Sequence, residues 1–166
     1  MIRLTRISFG GTAGVVTSMA LITGLHAAGA KTGTIVSALL IAAVADNLTD
    51  SLSVHMYQES ERLAQRAVFL STLGNFATRF CVCLSFVLIT ALFRPAVTAV
   101  VGIAWGMALL TALTFFLARS RGINTLPEVA KHLTVALVIL LVSQGIGQWI
   151  TSHVDLLLMT WKAPGT

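Results

Sequence analysis

Within the stretch AVADNLTDSLSVHMYQESE, residues 43–61, two aspartates, a histidine, a methionine and two glutamates follow an almost unbroken apolar run. On an α-helix, at about 100° per residue, Asp50 lies roughly 40° from Asp46. Thr49, Ser53, Tyr57 and Glu61 fall within about 60° of Asp46, so one narrow stripe is polar for four turns. His55 lies roughly opposite, with Glu59 near it. Carboxylates in this setting bind a cation, carry a proton or pair with a basic side chain. Asp46 and Asp50 are the first candidate ligands. His55, Met56 and Glu59 are candidates at the mouth of the same helix.

A carboxylate near the middle of a bilayer costs at least about 2.5–3.5 kcal/mol on insertion scales, and acids so placed usually serve function. Two readings stay open. In one, Asp46 and Asp50 form a cation or proton pathway. In the other, they are neutralised by protons or by an internal ion pair. Arg79 is the candidate partner, because it falls at a similar depth in the next apolar run; it is expected to pair with Asp46, directly or through one water, leaving Asp50 free to bind a cation. Asn75 and Cys83 share its face at i−4 and i+4. If both acids are ionised, Arg79 leaves one formal negative charge, which suits a proton or one cation better than a tight divalent site.

The elements that position these residues are apolar helices. The chain has 166 residues, 56% hydrophobic and 10% charged; an ordinary soluble domain is about 25% charged. Five apolar runs, at about residues 9–28, 34–54, 68–93, 96–118 and 129–151, suit the ~20 residues that cross a hydrocarbon core. The segments between them, AKTG, YQESERLAQR, RP and RSRGINTLPE, carry turn and charge signals. The expectation is an all-α polytopic membrane protein, residues 1–166 forming one five-helix transmembrane domain. The first run is long, Gly-rich and interrupted by Thr and Ser, which favours a retained span over a signal peptide. The helix-forming sequence SVHMYQESERLAQRAV predicts that the second helix continues beyond the membrane surface.

The net charge of +5 follows orientation. With the N-terminus cytoplasmic, Arg3, Arg6, Arg62, Arg66, Arg119, Arg121 and Lys131 share the inner side. Lys31, Arg94 and Lys162 lie outside. That asymmetry predicts an N-in, C-out topology, with anionic headgroups rather than nucleic acid as partners. Cys81 and Cys83 point about 200° apart on a helix and cannot clamp one metal. Gly10 and Gly14 form a small-xxx-small pair that permits close helix packing. No P-loop, GxSxG, HExxH or CxxC is present, and no nucleophile has a base, so no enzyme is expected.

Two segments resemble the vacuolar iron transporter (VIT) family. FGGTAGVVTSMALITGLHAAGA is similar to that family's first helix, FGxxDGLVTTFALVAGxxGA, and AVADNLTDSLSV to its ANLxADxLSM. SFVLITALFRP and PEVAKHLTVALVILLVSQGIGQWI follow its later helices more loosely. The resemblance implies a homodimer of five-helix subunits in a bacterial inner membrane or an organellar membrane. It also implies a pathway between subunits for Fe2+ or Mn2+ as transported ion, moved out of the cytoplasm in exchange for protons, with no permanently bound cofactor. Asp50 then matches the family acid, Asp46 the Asn position of ANL and Ser53 the motif serine. Ala13 stands where the first-helix Asp would be, and Val54 where the Met would be. Tyr57 and Gln58 stand near the family's GEY segment. The competing expectation is a non-transporting VIT-like membrane protein that keeps the scaffold for assembly or regulation.

Overall fold

The computed structural model describes residues 4–154, with side chains from residue 10 onward. Five helices follow one another: α1 (Leu4–Ala27), α2 (Thr32–Ser60), α3 (Gln65–Leu92), α4 (Pro95–Ser120) and α5 (Thr125–Val154). No strand occurs among the described residues. Helices α2 to α5 are each long and apolar enough to cross a membrane. At 1.5 Å per residue, the 29 residues of α2 span roughly 43 Å, more than the ~30 Å of a hydrocarbon core.

Helix α1 is the axis of the bundle and packs against α3, α4 and α5, while α2 leans chiefly on α3. Its Val15, Met19 and Ile22 are buried with Phe86 of α3, Leu110 of α4, and Ala136 and Leu140 of α5. Ile35 and Leu39 of α2 complete the cluster. Small residues let these helices approach. Along α4, Thr98, Gly102, Gly106, Leu110, Thr114 and Ala118 recur every four residues and form the buried face. At Gly10 a Cβ would lie 2.5 Å from the Asn75 carbonyl oxygen, so α1 and α3 touch backbone to backbone there. The Gly10 and Gly14 pair therefore packs inside the protomer, against α3.

The helix ends follow from local chemistry. Gly29 and Gly122 take the left-handed conformation just past α1 and α4, at φ 72° and 69°. The amides that follow, of Ala30 and Ile123, bond back to Leu25 and Ala118 carbonyls at 2.9 and 3.2 Å, closing each helix in a Schellman-like turn. The same turn after α2 uses Arg62 at φ 55°. Helix α2 does extend past residue 54, but it stops at Ser60, and Glu61–Ala64 turn the chain directly into α3. The helix thus continues six residues past the apolar run, and no long irregular loop separates it from α3. Pro95 starts α4 at a position where its missing N–H costs nothing. Asn124 Oδ1 accepts from Leu126 N and caps α5, which begins four residues before the apolar run does.

Candidate functional site

The candidate site is built at the centre of two antiparallel helices. Asp46 is the middle residue of α2, and Arg79 lies at the middle of the 28-residue α3. Around Asp46, α2 changes hydrogen-bond pattern: Ala42–Asp46 form a π-helical turn before the α-helix resumes at Asn47. Such turns are rare and frequent at functional sites. Here the wider turn ends on Asp46, and Asp50 follows one α-helical turn later.

Arg79 forks onto both acids. Its Nη2 donates to Asp46 Oδ2, and its Nη1 donates to Asp50 Oδ2 at 2.7 Å. Each carboxylate receives one nitrogen, an arrangement a planar guanidinium provides and an ammonium cannot. The three side chains differ in access. Arg79 is 5% exposed, Asp50 30% and Asp46 52%. The positive charge is enclosed, whereas the carboxylates have an open side. Two carboxylates and one guanidinium leave one formal negative charge.

Helix packing holds the guanidinium in place. Arg79 belongs to the buried face of α3, with Val68, Ser71, Asn75, Cys83, Phe86 and Thr90. Gly14 of α1 lies directly against the arginine stem. One turn further along α1, the Ser18 hydroxyl donates to Cys83 Sγ at 3.5 Å. Cys81 lies on the exposed side, so the two sulfurs are separated as the helical spacing requires.

Below the ion pairs runs a polar seam between α2 and α3. Asn47 is fully buried, and its Nδ2 donates to the Ala43 and Phe76 carbonyls at 3.2 and 2.9 Å. Asn75 Nδ2 donates to Ser51 Oγ at 3.3 Å. Further along, Gln58 Nε2 donates to Ser71 Oγ at 2.9 Å. Since Thr72 donates its hydroxyl proton to the Val68 carbonyl, His55 Nδ1 donates to Thr72 Oγ1, at 3.1 Å. Asn47, Ser51 and Ser71 were not legible as site residues, because a lone Asn or Ser among apolar residues has no spacing signal of its own. The fourfold recurrence of Ile35, Leu39, Ala43, Asn47 and Ser51 is the pattern that carries them onto the α3-facing side.

The structure brings Asp46, Asp50 and Arg79 together and leaves the other sequence candidates apart. His55 is bonded to Thr72, Met56 is exposed, and Glu59 accepts from Gln65 Nε2 at 3.0 Å. Among the described residues, no group of three or more His, Cys, Asp or Glu side chains is placed to hold a metal. Asp50, expected to be the acid free of Arg79, is bonded to it at 2.7 Å. The reason is the fork: a guanidinium facing two carboxylates one turn apart engages both.

Fold and site define an all-helical protein with several apolar helices fit for a membrane and a charged triad at mid-helix depth. Comparison of the chain with family models, curated proteins and solved structures finds no match.

Proposed function

We propose that this chain is a multi-pass membrane transporter that moves a cation through the Asp46–Asp50 pair. The observation that carries this reading is the asymmetry of access: a guanidinium sealed in the bundle and two carboxylates open on the other side. A purely structural ion pair at this depth gains by being closed on both sides, because an accessible carboxylate in hydrocarbon is costly. The remaining negative charge accepts a proton or a cation. Ferrous iron or manganese is the cargo in keeping with the VIT-like helices, exchanged for protons and exported from the cytoplasm. Cargo displaces the guanidinium from at least one carboxylate, and Arg79 restores the pair when cargo leaves.

In this reading α1 is the fifth span and the N-terminus faces the cytoplasm. Arg62, Arg66, Arg119, Arg121 and Lys131 then share the inner end. The protomers form a homodimer, because Thr49, Ser53 and Tyr57 extend the open acids into an exposed polar stripe along α2. Hydrocarbon does not solvate such a stripe; a second copy does.

One observation favours a different reading, a non-transporting scaffold used for assembly or regulation. Arg79 engages both acids, and among the described residues no third His, Cys, Asp or Glu side chain joins them to hold a metal. Ala13 and Val54, at the positions where VIT-like helices carry Asp and Met, point the same way. Uptake of Fe2+, Mn2+ and Zn2+ into vesicles reconstituted with wild type or Asp50→Asn separates the readings. Transport requires uptake by wild type that Asp50→Asn abolishes. Equal and background uptake by both selects the scaffold.

A further inference from the structure

A second polar feature lies away from the acids, at the end of the bundle where α1, α4 and α5 meet. A cavity of about 370 Å³ opens there. Thr12, Ala13 and Val16 of α1 form one wall, and Thr114, Leu117 and Ala118 of α4 another. Arg121, Glu128 and His132 surround its mouth. The small side chain of Ala13 leaves this space open; a longer residue there would occupy it.

The mouth favours an anion. Its one acid, Glu128, is engaged by Lys131 Nζ at 2.7 Å and has His132 Nδ1 3.9 Å away. Arg121 makes no ion pair within 4 Å among the described residues, and its charge reaches Glu128 only at longer range. His132 spends Nδ1 on the Glu128 carbonyl, at 2.8 Å, leaving Nε2 as its remaining polar atom.

Inside, Thr114 supplies a hydroxyl to the cavity. Thr90, Thr98, Thr111 and Thr134 each donate to the carbonyl four residues earlier. Thr114 is only 4% exposed, lines the cavity, and makes no such bond. Its oxygen is open to the cavity rather than sealed from solvent, and it has no fixed protein partner. An oxyanion held by Arg121 at the mouth and reaching inward gives it one.

We infer that this cavity binds the phosphate group of an anionic ligand, either the headgroup of an acidic membrane phospholipid or free phosphate. The apolar walls at Val16 and Leu117 and the position at the end of the helices accommodate a headgroup with its acyl chains outside. Basic pockets between transmembrane helices on the cytoplasmic side are known to hold such headgroups.

The test is isothermal titration of the purified full chain in uncharged detergent with phosphatidylglycerol, phosphatidylcholine and inorganic phosphate. Phosphatidylglycerol should bind and phosphatidylcholine should not. Arg121→Gln should weaken binding about fivefold. Thr114→Val, which keeps the shape and removes the hydroxyl, should weaken it about tenfold. Ala13→Leu, which fills the cavity, should abolish it. Binding of inorganic phosphate with the same sensitivity to Thr114→Val supports the site with free phosphate as its source; binding of phosphatidylglycerol alone supports the lipid. Equal binding of the two lipids overturns the inference. So does loss in Arg121→Gln with wild-type binding in both Thr114→Val and Ala13→Leu, which would leave only surface charge attraction.

Discussion

Gly14 lies so close to Arg79 that a Cβ on the glycine would stand 3.1 Å from the arginine Cγ and 3.3 Å from its carbonyl oxygen. The guanidinium reaches two acids on α2 because α1 leaves the arginine stem a narrow groove beside a residue without a side chain. One turn earlier the space is tighter still: a Cβ on Gly10 would stand 2.5 Å from the Asn75 carbonyl oxygen.

These distances rank a series of substitutions. Alanine in place of a helical glycine gains about 0.5–1 kcal/mol from chain entropy. At Gly74, where nothing lies within 4 Å, that gain should appear undiminished. At Gly14 a shift of a few tenths of an ångström in the arginine stem offsets it, and Gly14→Ala should be near neutral. At Gly10 the obstacle is backbone, so Gly10→Ala should destabilise by roughly 1–3 kcal/mol, as overpacking does. Gly14→Leu should cost a similar amount. Chemical unfolding in detergent reads the order directly; a Gly10→Ala protein as stable as Gly74→Ala would show that α1 and α3 are not in contact there.

The fork at Arg79 makes the three charged residues unequal. Removing one acid leaves the guanidinium paired with the other, so Asp46→Asn and Asp50→Asn should each be mild. Arg79→Gln strands two carboxylates and should cost about 3–5 kcal/mol, the range for a broken buried pair. The Asp46→Asn/Asp50→Asn double variant strands the buried arginine and should be comparably unstable. Adding Arg79→Gln to that double variant should restore stability. Unfolding free energies for the set test the coupling, and additive losses across all three sites would rule it out.

Much of this arrangement is legible in the residues, and what is not has physical causes. Helices α4 and α5 follow apolar runs bounded by Arg94-Pro95 and by Gly122 and Asn124, where strong local signals stop and start a helix. The ends of α2 are harder to place. Residues 55–60 are polar helix formers, so hydropathy ends at residue 54 while the helix continues to Ser60. The turn after it rests on Arg62 in a left-handed conformation that sequence favours for glycine. The depth match of Asp46 and Arg79 is visible from counting along two antiparallel helices. The engagement of Asp50 by the same guanidinium depends on side-chain reach, which periodicity does not encode. Nor does periodicity encode the π turn at Ala42–Asp46, which arises from which carbonyl each amide selects.

The seam below the fork predicts a contrast between two neighbouring residues on α2. Asn47 is buried and ties the helix to α3 through the Phe76 carbonyl, whereas the exposed Thr49 bonds only to Ala45 of its own helix. Asn47→Ala should therefore destabilise by about 1–3 kcal/mol, through lost hydrogen bonds and an unfilled volume. Thr49→Ala should stay within about 0.5 kcal/mol. Melting of the two variants under identical detergent conditions checks this, and equal effects would mean that Asn47 does not anchor the two helices.

The open side of the acids leads to the last prediction, which concerns the second copy of the chain. In a lone protomer, Asp46 is half exposed and Tyr57 is 66% exposed, on a helix long and apolar enough to cross the bilayer. Facing lipid, a carboxylate at this depth costs at least about 2.5–3.5 kcal/mol. An isologous dimer that pairs α2 with α2 removes that cost by turning both stripes toward a shared polar groove, and in such an interface residues near the two-fold axis meet their own copies. Ser53, exposed and bonded only to the Thr49 carbonyl of its own helix, lies within that stripe. In a background with Cys81→Ser and Cys83→Ala, Ser53→Cys should yield cross-linked dimers with a short thiol-specific reagent in native membranes. Val100→Cys should not, since Val100 is 69% exposed on α4, which lies away from α2. Cross-linking should persist after dilution of the protein in lipid, as a stable dimer requires and random collision does not. If Ser53→Cys remains monomeric while Val100→Cys cross-links, the dimer forms on the opposite face and the α2 acids must find their polar cover elsewhere.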